Sequence, residues 1–236
     1  MPRWLLLDAV CRVRPRRASV YRNRASCVSN PHKFVLGSYD LWMTTDLTQV
    51  DPAKLRIELY PTEVLRMKAN PVAVDTGVDE SLLAVAHRMV DLMRGAQGIG
   101  LAAPQVGLPV RLFVAHVPTD PEAEPDPSGL PISTDEPQAF FNPVITEYSK
   151  DLEPYDEGCL SLPGITGEVN RPSTVTMRAI DIEGNEVELK ATGLLARCWQ
   201  HEIDHLDGVL ILDKMTQMSR LKNRARIKSM EKAAKR

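Results

Sequence analysis

Two histidines four residues apart, with a glutamate beside the first, stand in Gln200-His201-Glu202-Ile203-Asp204-His205. On a helix this spacing puts His201 and His205 on one face, close enough to hold one metal ion, and lets Glu202 reach a water on that ion as general base. Leu195, Cys198, Trp199 and Leu206 carry the helical period around the motif, Thr192-Gly193 precede it and Gly208 follows. The plain alternative is a pair of surface histidines. A metal needs a further ligand from outside the helix, and Cys159, in Glu157-Gly158-Cys159-Leu160-Ser161, is the candidate. Asp156 before it and Pro163-Gly164 after it mark a turn or strand edge, although a buried structural cysteine is the ordinary reading of a lone Cys. Cys198 falls on the apolar stripe and reads as packing.

The third unusual stretch is Gly98-Ile99-Gly100-Leu101-Ala102-Ala103-Pro104-Gln105. Small residues at this density let another backbone or an extended substrate approach and leave backbone N–H groups accessible. The glycine spacing fits neither a dinucleotide fingerprint nor a phosphate loop. Gln105 adds an amide donor beside that surface.

The elements that must position these residues form one enzyme-sized body. The chain has 236 residues, 43% hydrophobic and 25% charged, so a collagen-like repeat, a coiled coil and wholesale disorder are excluded. No apolar run nears the roughly 18 residues of a membrane span. Aromatic content of 5% argues against an aromatic groove for single-stranded nucleic acid. Four irregularly spaced cysteines make no disulfide framework and fit a reducing compartment. Charge is uneven: residues 1–42 are net +6, residues 214–236 net +8, and the body between them −16.

Residues 1–50 read as an N-terminal extension without a packed element, either a transit-type leader or sequence upstream of a start at Met43. The body spans 51–213. Leu55–Tyr60 alternates like a short strand, and Asp79 caps a helix that ends at Gly95, with His87 on its polar side. Strands are predicted at 110–115, 140–145 and 174–179, with a hairpin turn at 183–186. Between the first two, the proline-rich acidic segment 118–138 reads as a mobile inserted loop. Strands that mostly follow one another imply an α+β fold, with antiparallel or mixed strands packed around a central metal-binding HExxH helix. Residues 214–236 read as a basic C-terminal helix or tail, whose plain role is a solvated face with Met215, Met218, Leu221 and Ile227 packed inward.

Taken together and in this order, the three stretches resemble the peptide deformylase family: 98–105 matches G-x-G-x-A-A-x-Q, 157–161 matches E-G-C-L-S and 200–205 matches Q-H-E-x-D-H. The similarity runs from about Leu59 to Asp213 and does not cover 1–50 or 118–138. It implies hydrolysis of the N-formyl group of formyl-methionine on new polypeptides, releasing formate. It implies that Cys159, His201 and His205 hold a divalent metal, ferrous iron in the family with zinc, nickel or cobalt able to substitute. Glu202 would be the general base, and the Gln105 side chain and Leu160 N–H would stabilise the oxyanion. Ile99, Gly100, Glu157, Gly158, Tyr155, Leu194 and Cys198 would contact substrate or shape the methionine pocket, with Arg171 supporting Glu157. A basic residue often present after E-G-C-L-S is absent, where Gly164-Ile165-Thr166 stand. The resemblance also suggests that the basic C-terminus docks on the ribosome, with no role for DNA or a membrane. The compartment is cytoplasmic as in bacteria, or organellar if 1–42 is a transit peptide. The competing functions are a zincin-like metallopeptidase, which would take its third ligand from a downstream His or Glu, and a non-catalytic peptide-binding relative.

Overall fold

The computed structural model describes residues 47–235 except 75, 76, 123 and 125. The leader and Met43 readings therefore lie outside the described residues. Asp79 accepts the Leu82 N–H and starts helix α1 (Glu80–Gly95), which buries Leu82, Val85, Ala86, Met89 and Met93. The amphipathic period and the cap residue suffice to set both its start and its buried face. His87 is exposed.

Strands β1 (Gly100–Ala102), β2 (Leu112–Ala115), β3 (Gln138–Tyr148), β6 (Thr174–Ile180) and β7 (Glu186–Thr192) form a five-stranded antiparallel sheet in the order β1-β2-β3-β6-β7. Strands β4 (Leu152–Gly158) and β5 (Thr166–Pro172) form a separate antiparallel pair. Helices α2 (Gly193–Leu206), α3 (Ile211–Lys214) and α4 (Gln217–Ala233) follow. The architecture is α+β, with antiparallel sheets and a C-terminal helix.

Side chains alternate across a strand. Leu112 and Val114 accordingly pack with α1, whereas Phe113 and Ala115 pack with Leu195, Cys198, Trp199, Ile203 and Leu206 of α2. Strand β2 is thus buried on both faces. A third cluster, including Leu162, Ile165, Val169, Leu210 and Met215, joins β5 to α3 and the following helix.

Several expectations are corrected. Leu55–Tyr60 forms no strand. Leu55 is buried and Ile57 half-buried, which explains the alternation, but the backbone makes isolated bonds, Glu58 N–H to Gln105 O at 2.8 Å and Tyr60 N–H to Ser161 O at 2.9 Å, rather than a ladder. Of residues 1–50, Leu47 is buried in the α1 cluster and Val50 packs against it. On α4, Met218 and Leu221 are each 62% exposed and Ile227 is partly buried, while Met215, which follows α3, is buried. The helix is docked by Ile227 and Met230 on the third cluster together with polar contacts, Tyr60 Oη to Glu231 Oε1 at 2.8 Å and Asn223 Nδ2 to Thr166 O at 2.7 Å.

Among the described residues of segment 118–138, which follows β2, there is no helix, and Gln138 alone is in a strand. Thr134 N–H donates to Val117 O at 2.7 Å and Thr192 N–H to Pro131 O at 3.1 Å. At the β6–β7 turn Asp181 Oδ1 accepts the N–H groups of Glu183 and Asn185, and Gly184 takes φ +85°, a conformation favouring glycine. Among the described residues no helix is long and apolar enough to cross a membrane.

Candidate active site

Helix α2 carries both histidines and the glutamate of the candidate site. The His201 and His205 rings lie 5.0 Å apart between centroids. Strand β4 ends at Gly158, which brings Cys159 beside them, its Sγ 3.3 Å from His205 Nε2. One ligand atom from each of Cys159, His201 and His205 lies within 4.8 Å of the other two. One thiol and two imidazoles in that span are within reach of a single cation, and the set suits a tetrahedral site with one position open. His205 is fully buried and its Nδ1 has no hydrogen-bond partner among the described residues. Burial, then the charge of His201, lowers its pKa well below the ordinary value, so the ring is neutral.

His201 is oriented by Glu157, whose Oε2 lies 3.0 Å from His201 Nδ1. This contact sets Nδ1 as the proton-bearing nitrogen and leaves Nε2 for the opposite side. Burial opposes the charge of His201, but hydrogen bonds with Cys159 and Glu157 outweigh it and raise its pKa to about 10 in the metal-free chain. Glu157 is 6% exposed and is gripped by Arg171, Nε to Oε1 at 2.6 Å and Nη2 to Oε2 at 2.9 Å. Burial favours its neutral form, yet the bonds from His201 and Arg171 hold its carboxyl well below the usual range. Arg171 also reaches Asp204 Oδ2 at 2.7 Å, and Asp204 in turn pairs with Lys214 at 3.3 Å.

Glu202 is the contrasting carboxylate. It is 3% exposed, its Oε2 has no partner among the described residues, and burial pushes its pKa up to about 7. A group that exchanges its proton near neutrality suits general acid–base work. A Cβ on Gly100 would lie 2.3 Å from Glu202 Oε1, so this close approach requires glycine. Gln105, in a 3₁₀ turn after β1, is 1% exposed. Its Oε1 accepts the Ala102 N–H at 2.8 Å, which turns Nε2 toward Ser161 Oγ at 3.3 Å and Cys159 Sγ at 3.6 Å. The Leu160 N–H makes no hydrogen bond among the described residues.

A cavity of about 730 Å³ opens over these groups. Ile99, Gly100, Gln105, Tyr155, Glu157, Gly158, Cys159, Leu160, Leu194, Cys198, His201 and Glu202 all line it, while His205 and Arg171 join the site from behind its wall, through Cys159 and Glu157. Cys198 is both wall and packing: its Sγ donates to Ile99 O at 3.3 Å, and burial raises its pKa. Four further residues take part without having been singled out in the sequence. Arg197, one turn before His201, donates to Glu157 Oε1 at 2.7 Å; a buried arginine in an apolar helix stripe was the available signal. Ser161 and Asp204 stand inside the motif stretches but carried no sign of a role of their own, and Lys214 had no signal. In the stretch Gly164-Ile165-Thr166, which carries no basic residue, Arg226 from α4 covers Gly164 and donates from Nε to Pro163 O at 3.1 Å.

Residues 54–221 match the family model described as polypeptide deformylase. The chain is 41% identical over 171 residues to a peptide deformylase of Prochlorococcus marinus (strain MIT 9312), covering 72% of this chain and 78% of that one. It is 40% identical over 177 residues to a peptide deformylase of Rhizobium meliloti (strain 1021), covering 75% of this chain and 92% of the relative. Its fold is similar to the crystal structure of peptide deformylase from Ehrlichia chaffeensis, with a TM-score of 0.68 and 34% identity over 76% of this chain and 98% of that one.

Proposed function

Since the chain belongs to the peptide deformylase family, metal-dependent hydrolases that remove the formyl group from the N-terminus of nascent polypeptides, we propose that its cavity is where that reaction occurs and that the residues gathered there divide the work as follows. The observation that carries this reading is the convergence of Cys159, His201 and His205 beside an unpartnered, buried Glu202. The two imidazoles and the thiolate would hold one divalent cation on the HExxH helix, and when bound it would supply Lewis acidity toward a water and a carbonyl. We assign ferrous iron as the native ion; zinc, nickel and cobalt suit the same donors.

Glu202 takes up a proton from the attacking water and returns it to the departing amine. Its Oε2 has no partner among the described residues, so that oxygen is open to accept the proton. The Gln105 amide and the free Leu160 N–H stabilise charge on the formyl oxygen, and their fixed positions mean no reorganisation is needed as that charge forms. Ile99, Tyr155, Leu194, Cys198 and the flank of His201 receive the methionine side chain. Gly100, with Glu157 and Gly158 on the facing edge, borders an extended peptide. The third ligand is a thiol at the end of β4 rather than a His or Glu downstream of α2, unlike the metallopeptidase alternative.

Protein prepared anaerobically and loaded with Fe²⁺ should release formate from formyl-Met-Ala-Ser. Chelation should abolish the activity and Fe²⁺ restore it, and Glu202→Ala should be inactive with its metal retained. Full activity in Cys159→Ala would overturn the ligand assignment.

Helix α4 adds a second proposal. Its Lys and Arg side chains would contact ribosomal RNA or protein where substrates emerge, through charge neutralisation. Full-length and 1–213 proteins should differ in pelleting with ribosomes at low salt; equal pelleting would end that idea. Placement of the enzyme in a bacterial-type cytoplasm or an organelle turns on residues 1–42 and is read by N-terminal sequencing of protein from its own host.

A further inference from the structure

Arg197 precedes His201 by one turn of α2, and only 9% of its side chain is exposed. Among the described residues its hydrogen bonds all go to the β4–β5 pair. Nη1 donates to Glu157 Oε1 at 2.7 Å and to Val169 O at 3.1 Å, and Nη2 donates to Glu153 O at 2.6 Å. Its Cζ lies 5.3 Å from the centroid of the Tyr155 ring, and both side chains line the cavity.

A carboxylate offers about four lone-pair sites. On Glu157 they are filled two to each oxygen: Oε1 accepts from Arg171 Nε and Arg197 Nη1, and Oε2 from Arg171 Nη2 and contacts His201 Nδ1. Arg171 alone sets the plane of the carboxylate with its fork. Arg197 closes the site on Oε1, so the carboxylate cannot turn away from the imidazole without breaking a charge-assisted bond. Burying a second guanidinium is costly in place of an apolar side chain that could pack α2 against the same pair of strands.

We propose that Arg197 is a positioning residue that couples the cavity wall to the metal-facing side of His201. With one guanidinium it locks Glu157 against His201 Nδ1 and holds the Tyr155 ring at the cavity. The inference rests on the reading of Cys159, His201 and His205 as ligands.

The test uses the full chain loaded with Co²⁺, read by cobalt release to a chelator, by the thiolate–cobalt absorption band and by separate kcat and KM values for formyl-Met-Ala-Ser. Arg197→Met should release cobalt about tenfold to a hundredfold faster than wild type, the range for loss of an outer partner of a ligand, and should raise KM. Arg197→Lys, which keeps the charge but not the fork, should fall between. Tyr155→Leu should raise KM and leave cobalt release unchanged. Folded Arg197→Met with wild-type cobalt release would reduce Arg197 to a structural strap and overturn the proposal. Should Arg197→Met not fold, wild-type release in Arg197→Lys has the same consequence. Equal acceleration by Tyr155→Leu would also overturn it, since the route would then not be Glu157. Absence of the thiolate–cobalt band in wild type would instead remove the ligand reading, and the proposal with it.

Discussion

On either side of His201 lie two buried glutamates in opposite states. Glu157 has every lone pair occupied by Arg171, Arg197 and His201 and stays ionised. Glu202 has an oxygen with no partner among the described residues, and its proton is held up to about neutral pH. Both are at least 94% buried by residue, so depth alone does not decide the state. Partners do: a carboxylate whose hydrogen bonds are complete costs little to ionise, and one facing an open cavity keeps its proton. The saturated side of the helix is scaffold, and the unsaturated side is where a reacting molecule can supply what is missing.

Exchanging the two roles by mutation gives the largest effects. Glu202→Ala should lower kcat by about 10²–10⁴-fold, the usual worth of a positioned acid–base group. Its thermal midpoint should hold or rise, because an unpartnered buried polar group is removed. Glu157→Ala should do the reverse, first costing stability of about 3–5 kcal/mol by leaving two buried arginines without their shared carboxylate. Urea unfolding with parallel kinetics checks both. If Glu202→Ala destabilised as much as Glu157→Ala, the contrast between scaffold and reacting group would fail.

A smaller effect is expected on the unsaturated side itself. Gln105→Leu removes the amide whose oxygen is already committed to Ala102 N–H, so it should cost about 10²–10³ in kcat with little change in KM. Gly100→Ala puts a methyl group 2.3 Å from Glu202 Oε1, within the glutamate's own volume. Displacement of the carboxyl by that contact should cost about tenfold to a hundredfold in rate. A Gly100→Ala enzyme with unchanged kcat would mean Glu202 acts from another position.

How much of this contrast was legible in the sequence follows from where each residue's partners lie along the chain. His201, Glu202 and His205 were legible because the helical period places them, and α1 because its cap and apolar stripe are local. The three motifs together pointed to the site, and the structure gathers them. Glu157's saturation was legible only in part: Arg171 was expected beside it, but Arg197 hides inside an apolar helix stripe and meets Glu157 only when β4–β5 packs on α2. Leu55–Tyr60 misled because burial of Leu55 and Ile57 alternates just as a strand's would, while its hydrogen bonds go singly to Gln105 and Ser161. Met218 and Leu221 misled for the converse reason, since α4 docks through Tyr60, Asn223 and Arg226 and leaves those side chains in water.

The smallest effect separates the two glutamates by pH, in protein stripped of metal. Glu202 has a folded pKa of about 7 against an ordinary value of 4.5, so the folded chain keeps a proton that the unfolded chain releases. Its contribution is fully present below pH 4.5 and is lost as pH rises through about 7. Glu157 runs the other way: its folded pKa is depressed, so its contribution is complete above the ordinary value of 4.5 and drains away as pH falls further. Urea midpoints of wild type should therefore carry a declining component between pH 4.5 and 7 that Glu202→Gln removes, and an acid-side loss that Glu157→Gln blunts. Adding a divalent cation should erase the first component, because a positive charge beside Glu202 favours its carboxylate and brings its pKa back down. Parallel curves for wild type and Glu202→Gln in the metal-free protein would show that Glu202 is ionised when folded, and that the two sides of α2 do not differ as their partners indicate.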